Sequence, residues 1–271
     1  MVRVCVLVAA GLLLCAASGS AMSRDTALVE PMGIPDIDAF LETCPTEDPA
    51  YNKIRADFRL LRDGVLVGVL GCQGSVSSIP IQGWTDELIA VQTLRAIFHM
   101  SRGTEGRLPW TELSLYDWLK SQVGGINIDT GVAGGSCCSE VRGVNYFRMG
   151  TADAFNRDWD RTWEGISGNI GFYVHEARHL TGPGHVSCCG ITSGCDQVYD
   201  EENLASYAIQ WWLNWAWLAG HIDIGLANVN PDRQTEIALG HIGSCNNTFR
   251  ERICESPPPE VSLSDLLTQV P

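Results

Sequence analysis

The run His175-Glu176-Ala177-Arg178-His179-Leu180-Thr181-Gly182-Pro183-Gly184-His185 constrains this chain more than any other segment. At 100° per residue, positions four apart return to nearly the same helical face one turn on, so a helix here puts His175 and His179 side by side. Glu176 lies next to them. Gly182 can end such a helix by taking a left-handed conformation, and Pro183 forbids its continuation. A chain that reverses there can bring His185 back to the first two histidines. Any fold for this sequence must supply a helix that stops near residue 180, a reversal, and a neighbour that receives the returning histidine.

Three imidazoles and one carboxylate form a donor set suited to zinc. A catalytic tetrahedral site uses three protein ligands and keeps the fourth position for water. Glu176 is placed to take a proton from that water without being a ligand itself. The chain has only six histidines, so three at this spacing are seldom a coincidence. The run resembles the long zinc-binding signature of metzincin metallopeptidases. That resemblance covers eleven residues. It implies a zincin-like fold, Zn2+ held by His175, His179 and His185, and Glu176 as general base in hydrolysis of peptide bonds by attack of zinc-bound water. The expected partner is a peptide or protein substrate. Metzincins also carry a methionine turn beneath the zinc, and this chain has no methionine after Met149. A different floor is therefore expected, with disulfides around Cys188, Cys189 and Cys195 as the substitute.

A rival third ligand exists. Glu202-Asn203-Leu204-Ala205 is similar to the Glu-x-x-Ala pattern of gluzincin-type metallopeptidases, with Asp200 and Glu201 adjacent. The same acids can instead stabilise the positive end of the helix that follows. The tighter spacing favours His185 over Glu202, which can still serve as a carboxylate orienting a histidine. Tyr199, Tyr207 and His221 are candidates for a further oxyanion donor. Two alternatives use the same donors: a secreted binding protein stabilised by zinc without catalysis, and a zinc amidase or deacetylase.

The compartment follows from the first residues and the cysteines. Arg3, an apolar run from Val4 to Ala17, and small residues up to Ala21 have the layout of a cleaved signal peptide, residues 1–21, and the run is short for a bilayer span. Eleven cysteines, nine of them beyond that segment, suit an oxidising compartment, so the chain is expected to be secreted, extracellular or periplasmic. Neighbouring cysteines rarely bond each other. Cys188 or Cys189 is therefore expected to pair with Cys195 or with the Cys137-Cys138 pair, and Cys245 with Cys254. A net charge of -14 argues against a protein that tracks nucleic-acid phosphates or docks on anionic lipid. No second long apolar span calls for stable membrane insertion. Asn246-Asn247-Thr248 is a glycosylation sequon.

The rest reads as one helix-rich α+β domain, residues 22–255, with its ordered part from about residue 35 and a Pro-rich mobile tail over 256–271. Helices are expected over Asp86–Met100 with Thr85 as cap, Ser114–Val123, Trp159–Leu180 and Leu204–Ala219. Phe58–Leu70 suits a hairpin around Asp63-Gly64, although Asn52–Leu61 can be a helix; Val141–Met149 reads as a strand. Gly165, Gly168 and Gly171 share the face of His175 and His179, which calls for something packed close to it. In the Trp-rich stretch after Leu204, Ser206, Gln210 and Asn214 make one polar stripe on an apolar rod.

Overall fold

Three parallel strands, β1 (Arg59–Arg62), β3 (Gly125–Ile128) and β5 (Val144–Met149), form the centre of a five-stranded sheet in the computed structural model. Antiparallel strands close both sides, β2 (Val65–Leu66) beside β1 and β4 (Gly135–Val141) beside β5, in the order β2-β1-β3-β5-β4. The structure describes residues 29–68, 71–72, 84–151, 163–187 and 194–264; the expected signal peptide, Cys188 and Cys189 lie outside them. Among the described residues no helix is long and apolar enough to cross a membrane.

Local chemistry explains the elements. Helix α1 (Ile37–Glu42) is capped by the Asp36 carboxylate on the Ala39 amide, and α2 (Tyr51–Asp57) leads straight into β1. Both readings therefore hold in part, a helix to Asp57 and then a hairpin through Leu66, with residues 69 and 70 of the expected hairpin outside the described residues. Its turn uses Asp63 and Gly64 with φ of 50° and 78°, the positive angles that a two-residue hairpin turn demands. Helix α3 (Asp86–Met100) starts where the Thr85 hydroxyl accepts from the Leu88 amide, and α4 (Leu115–Gln122) where Ser114 does so from Asp117. The long helix α5 (Trp163–Arg178) packs against α3, the sheet and α6 (Ser206–Leu218). Helix α7 (Pro231–Gly243) has Pro at its first position and Asn230 as cap. A two-stranded parallel sheet, β6 (Asp196–Val198) with β7 (Ile253–Ser256), joins the region after the histidine run to the C-terminal part.

One core holds these elements together, from Ile34 in the lead-in to Val261, so the fold is a single mixed α+β domain. The segment expected to be a mobile tail is docked at least as far as Val261. That residue is buried, and its backbone exchanges two hydrogen bonds with the Asn246 side chain. The sequon asparagine is thus a clasp for the tail. The disulfides also differ from expectation. Cys44 bonds Cys72, and the neighbours Cys137 and Cys138 bond each other. Cys245 is a buried free thiol, so Cys245–Cys254 does not form, although Cys254 is disulfide-bonded. Cys195 is likewise a buried thiol, which removes it from the expected bridge to Cys188 or Cys189.

A buried ion pair ties the lead-in to α3. Asp48 accepts hydrogen bonds from Arg95 Nε at 2.5 Å, His99 Nε2 at 2.8 Å and the Ala50 amide at 2.7 Å. Burial alone would raise the Asp48 carboxyl, but the bonds from His99, Arg95 and Ala50 outweigh it and hold the group well below the usual carboxylate range. A folded-state value below the unfolded one means that the contribution is full above about pH 4 and lost as the pH falls further. Asp48→Asn leaves Arg95 buried without its counter-charge and should cost about 3–5 kcal/mol. Denaturant titrations should show that loss at pH 7, and a shallower fall of stability below about pH 4 than in the parent protein.

Candidate metal centre

Helix α5 buries Ile166, Ile170, Tyr173, Val174 and Ala177, and Tyr173 stacks on Phe147 of β5 with ring centroids 5.2 Å apart. That packing fixes the helix rotation and turns His175, Glu176 and, one turn on, His179 toward the histidine that returns from the loop. The helix ends at Arg178. Gly182 does not take the expected left-handed conformation, since its φ is not positive. It is needed for space: a Cβ there would lie 2.4 Å from Arg178 Nε, and that side chain is held by the Leu204 carbonyl, 2.6 Å away. Beyond the reversal, Val186 and Cys195 exchange backbone hydrogen bonds of 2.7 and 3.1 Å. This clip delivers His185.

His175, His179 and His185 converge with their potential ligand atoms all within 4.8 Å of one another. His175 Nδ1 donates to the Gln210 carbonyl at 2.8 Å and His185 Nδ1 to the Asp196 carboxylate at 3.1 Å. His179 Nδ1 lies 3.4 Å from the Ser206 hydroxyl. With Nδ1 carrying the proton, His175 and His185 turn bare Nε2 lone pairs toward each other at 3.2 Å. Two acceptors at that distance repel unless a cation lies between them. Two nitrogens on one tetrahedral zinc stand about 3.3 Å apart. The three residues therefore suit a metal ion. Burial and the neighbouring His179 push the His175 pKa down to about 3, and burial lowers that of His179, so both imidazoles are neutral and able to ligate at ordinary pH.

Glu176 is buried beside the cluster, with Oε2 4.0 Å from His179 Nε2. The Cys137 amide donates to the same oxygen at 2.5 Å. Burial raises the carboxyl above its usual value, and the Cys137 bond opposes this only in part.

No protein-family model, curated protein or solved structure matches this chain. The site must be argued from its own atoms.

Its floor is aromatic. Tyr207, at the start of α6, stacks on His185 at 4.9 Å and meets His175 edge-on at 4.6 Å. Arg252 Nη1 donates to the Tyr207 hydroxyl at 3.2 Å. Of the candidate oxyanion donors Tyr207 alone is in contact with the histidines; Tyr199 packs on Trp211, and His221 is exposed beside Trp215. The expected floor of disulfides gives way at Cys195, whose thiol is buried next to β6.

Glu202 is not brought to the site. It is exposed in the turn before α6, outside the converging cluster, with its amide bonded to Asp200. The carboxylate that orients a histidine is Asp196, fully buried, which the sequence reading passed over. Its other oxygen accepts from the Tyr207 and Ala208 amides, both at 2.8 Å. Gln210 and Ser206 belong to the stripe visible in the sequence, and their amide and hydroxyl face His175 and His179. The only sequence signal for this role was the four-residue spacing of polar side chains on an otherwise apolar helix. Gly171 faces Gln210, whose Nε2 would stand 3.4 Å from an added Cβ, an ordinary contact, and Gly168 has open space above it, so the close packing expected over these glycines is not found there.

Partners that fix ligand orientation typically contribute 10–100-fold to metal affinity. Asp196→Asn and Gln210→Leu should each weaken metal binding by about that factor, measured by competition with a chelating dye. Glu202→Ala should leave affinity unchanged. A loss in Glu202→Ala matched by none in His185→Ala would return the ligand role to Glu202.

Proposed function

We propose that this protein is a secreted zinc-dependent metallopeptidase, with His175, His179 and His185 as ligands and Glu176 as general base. The observation that carries this reading is the carboxylate beside the three imidazoles. A site that only stabilises a fold has no use for a buried base 4.0 Å from a ligand nitrogen. Structural zinc sites are closed by four protein ligands, whereas the converging group among the described residues has three. The spacing of the histidine run, with its likeness to the metzincin signature, points the same way.

Zinc, when bound, supplies Lewis acidity that polarises a carbonyl and makes water easier to deprotonate. Glu176 is poised to take the proton. Its burial raises its basicity, and Cys137 fixes one oxygen while leaving the other available. Tyr207, with its hydroxyl held by Arg252, is the candidate for stabilising negative charge on the substrate oxygen. A peptide is favoured over a small amide by strand β4, which among the described residues pairs only with β5 and runs past Glu176. Its outer edge can take an extended chain as one more strand. Secretion is supported by the disulfides at Cys44–Cys72 and Cys137–Cys138 and by the apolar N-terminal run.

Glu176→Gln keeps the side chain's size and removes its basicity. It should lower kcat by about 10²–10⁴-fold while zinc stays at the parental stoichiometry. Digestion of a peptide library with and without chelator, read by mass spectrometry beside metal analysis, checks this. Parental turnover by Glu176→Gln would remove the residue from the mechanism, and a chain that binds no zinc would remove the reading altogether.

A further inference from the structure

Strand β4 pairs regularly with β5 at Gly135 and Ser136 and again from Ser139 to Val141. Between them the register slips. Ser136 faces Arg148 and Ser139 faces Tyr146, so β4 carries one residue more than its partner, and that bulge contains Cys137 and Cys138. A bulge turns a backbone group away from the ladder. Here the group is the Cys137 N–H, which donates to Glu176 Oε2 at 2.5 Å. The two bulge residues are joined to each other by a disulfide. Just before it, Gly135 lies so close to Phe172 of α5 that a Cβ would fall 2.0 Å from the ring, which holds the strand against the helix that carries Glu176. Cys137 and Cys138 are partly exposed, so a small reductant can reach them.

We propose that the Cys137–Cys138 disulfide is a redox-sensitive latch that positions Glu176 through the Cys137 amide. This rests on the reading of Glu176 as the general base and adds a control to it. The disulfide closes a small ring through the two side chains and the peptide between them, which holds the shape of the bulge and, with it, the position of the Cys137 nitrogen. A small dithiol opens it: its thiolate attacks one sulfur, forms a mixed disulfide and expels the other sulfur as a thiolate. The second thiol of the reductant then closes its own disulfide, so two electrons and two protons pass to Cys137 and Cys138. The bulge is then free to repair its register with β5, and the Glu176 carboxylate loses its fixed donor. Cys137 and Cys138 act as positioning residues, the histidines are untouched, and the open state keeps its metal.

The test uses the full chain loaded with zinc and follows the residue-137 amide by hydrogen exchange. Exchange should be slow in the parent protein and about tenfold or more faster in Glu176→Ala, the scale expected for loss of a hydrogen bond to a charged group. It should be equally fast in unreduced Cys137→Ser/Cys138→Ser and in the parent after dithiol, with alkylation and mass analysis confirming that this pair has opened. The serine pair should lose about 10–100-fold in kcat with KM and zinc content near parental, and dithiol should have no further effect on it, which separates this latch from the Cys44–Cys72 bond and from the disulfide of Cys254. Slow exchange in the serine pair, an unchanged kcat, or zinc lost in step with activity each overturns the proposal. If the parent protein cleaves no peptide, the peptidase reading fails, and the exchange measurements still decide whether the disulfide holds the Glu176 contact.

Discussion

The buried carboxylate of Asp196 is the contact on which the site depends. One oxygen takes the His185 Nδ1 proton, and the other takes two amides at the start of α6. A carboxylate removed from water needs hydrogen-bond donors in place of the lost solvent. The helix start supplies two of them, because its first amides lack partners within the helix. The loop histidine and the Trp-rich helix are thereby fixed to one group. The same helix carries Ser206 and Gln210, so the partners of all three imidazoles move as one body.

That arrangement explains how a cluster of three basic groups persists in a folded chain. Imidazoles packed at centroid distances of 4.6 to 5.1 Å cannot all be protonated without strong repulsion. Burial of His175 keeps it neutral, and outward-facing acceptors fix which nitrogen carries the proton. The lone pairs that remain face inward. The preference for a cation is therefore built from outside the cluster, by Gln210, Asp196 and Ser206, as much as by the histidines.

How much of this was legible in the sequence depended on range. Helices with local caps, α3 behind Thr85 and α4 behind Ser114, could be read because a cap and its amide are three residues apart. The convergence of His175 and His179 was legible for the same reason; a reversal after Leu180 was also expected, but not its means, since Gly182 is not left-handed and instead leaves room for the Arg178 side chain. Strand β4 was missed because Gly135-Ser136-Cys137-Cys138 has no apolar alternation and owes its conformation to β5 and Phe172. Asp196 gave no signal, because its importance lies in reaching a histidine eleven residues back and a helix ten residues on. The Ser206, Gln210 and Asn214 stripe was visible as a pattern, but only packing against α5 assigns its first two members to histidines; Asn214 instead accepts from the buried His241. The link between Cys137 and Cys138 ran against the general reluctance of neighbours to bond, which no spacing could have overruled.

Gly182 has a consequence that reaches beyond the histidine run. The space above its Cα is occupied by the Arg178 side chain, which crosses it to meet Leu204 and Asn203 just before α6 begins. The glycine is a right of way for a neighbour's arm. Residues 178 and 182 are consequently one unit of design: a side chain added at 182 evicts the arginine, and a shorter residue at 178 leaves the Leu204 carbonyl without its donor. Either change is felt where Ser206 and Tyr207 begin the supporting helix, so this part of the run can be rewritten only as a pair.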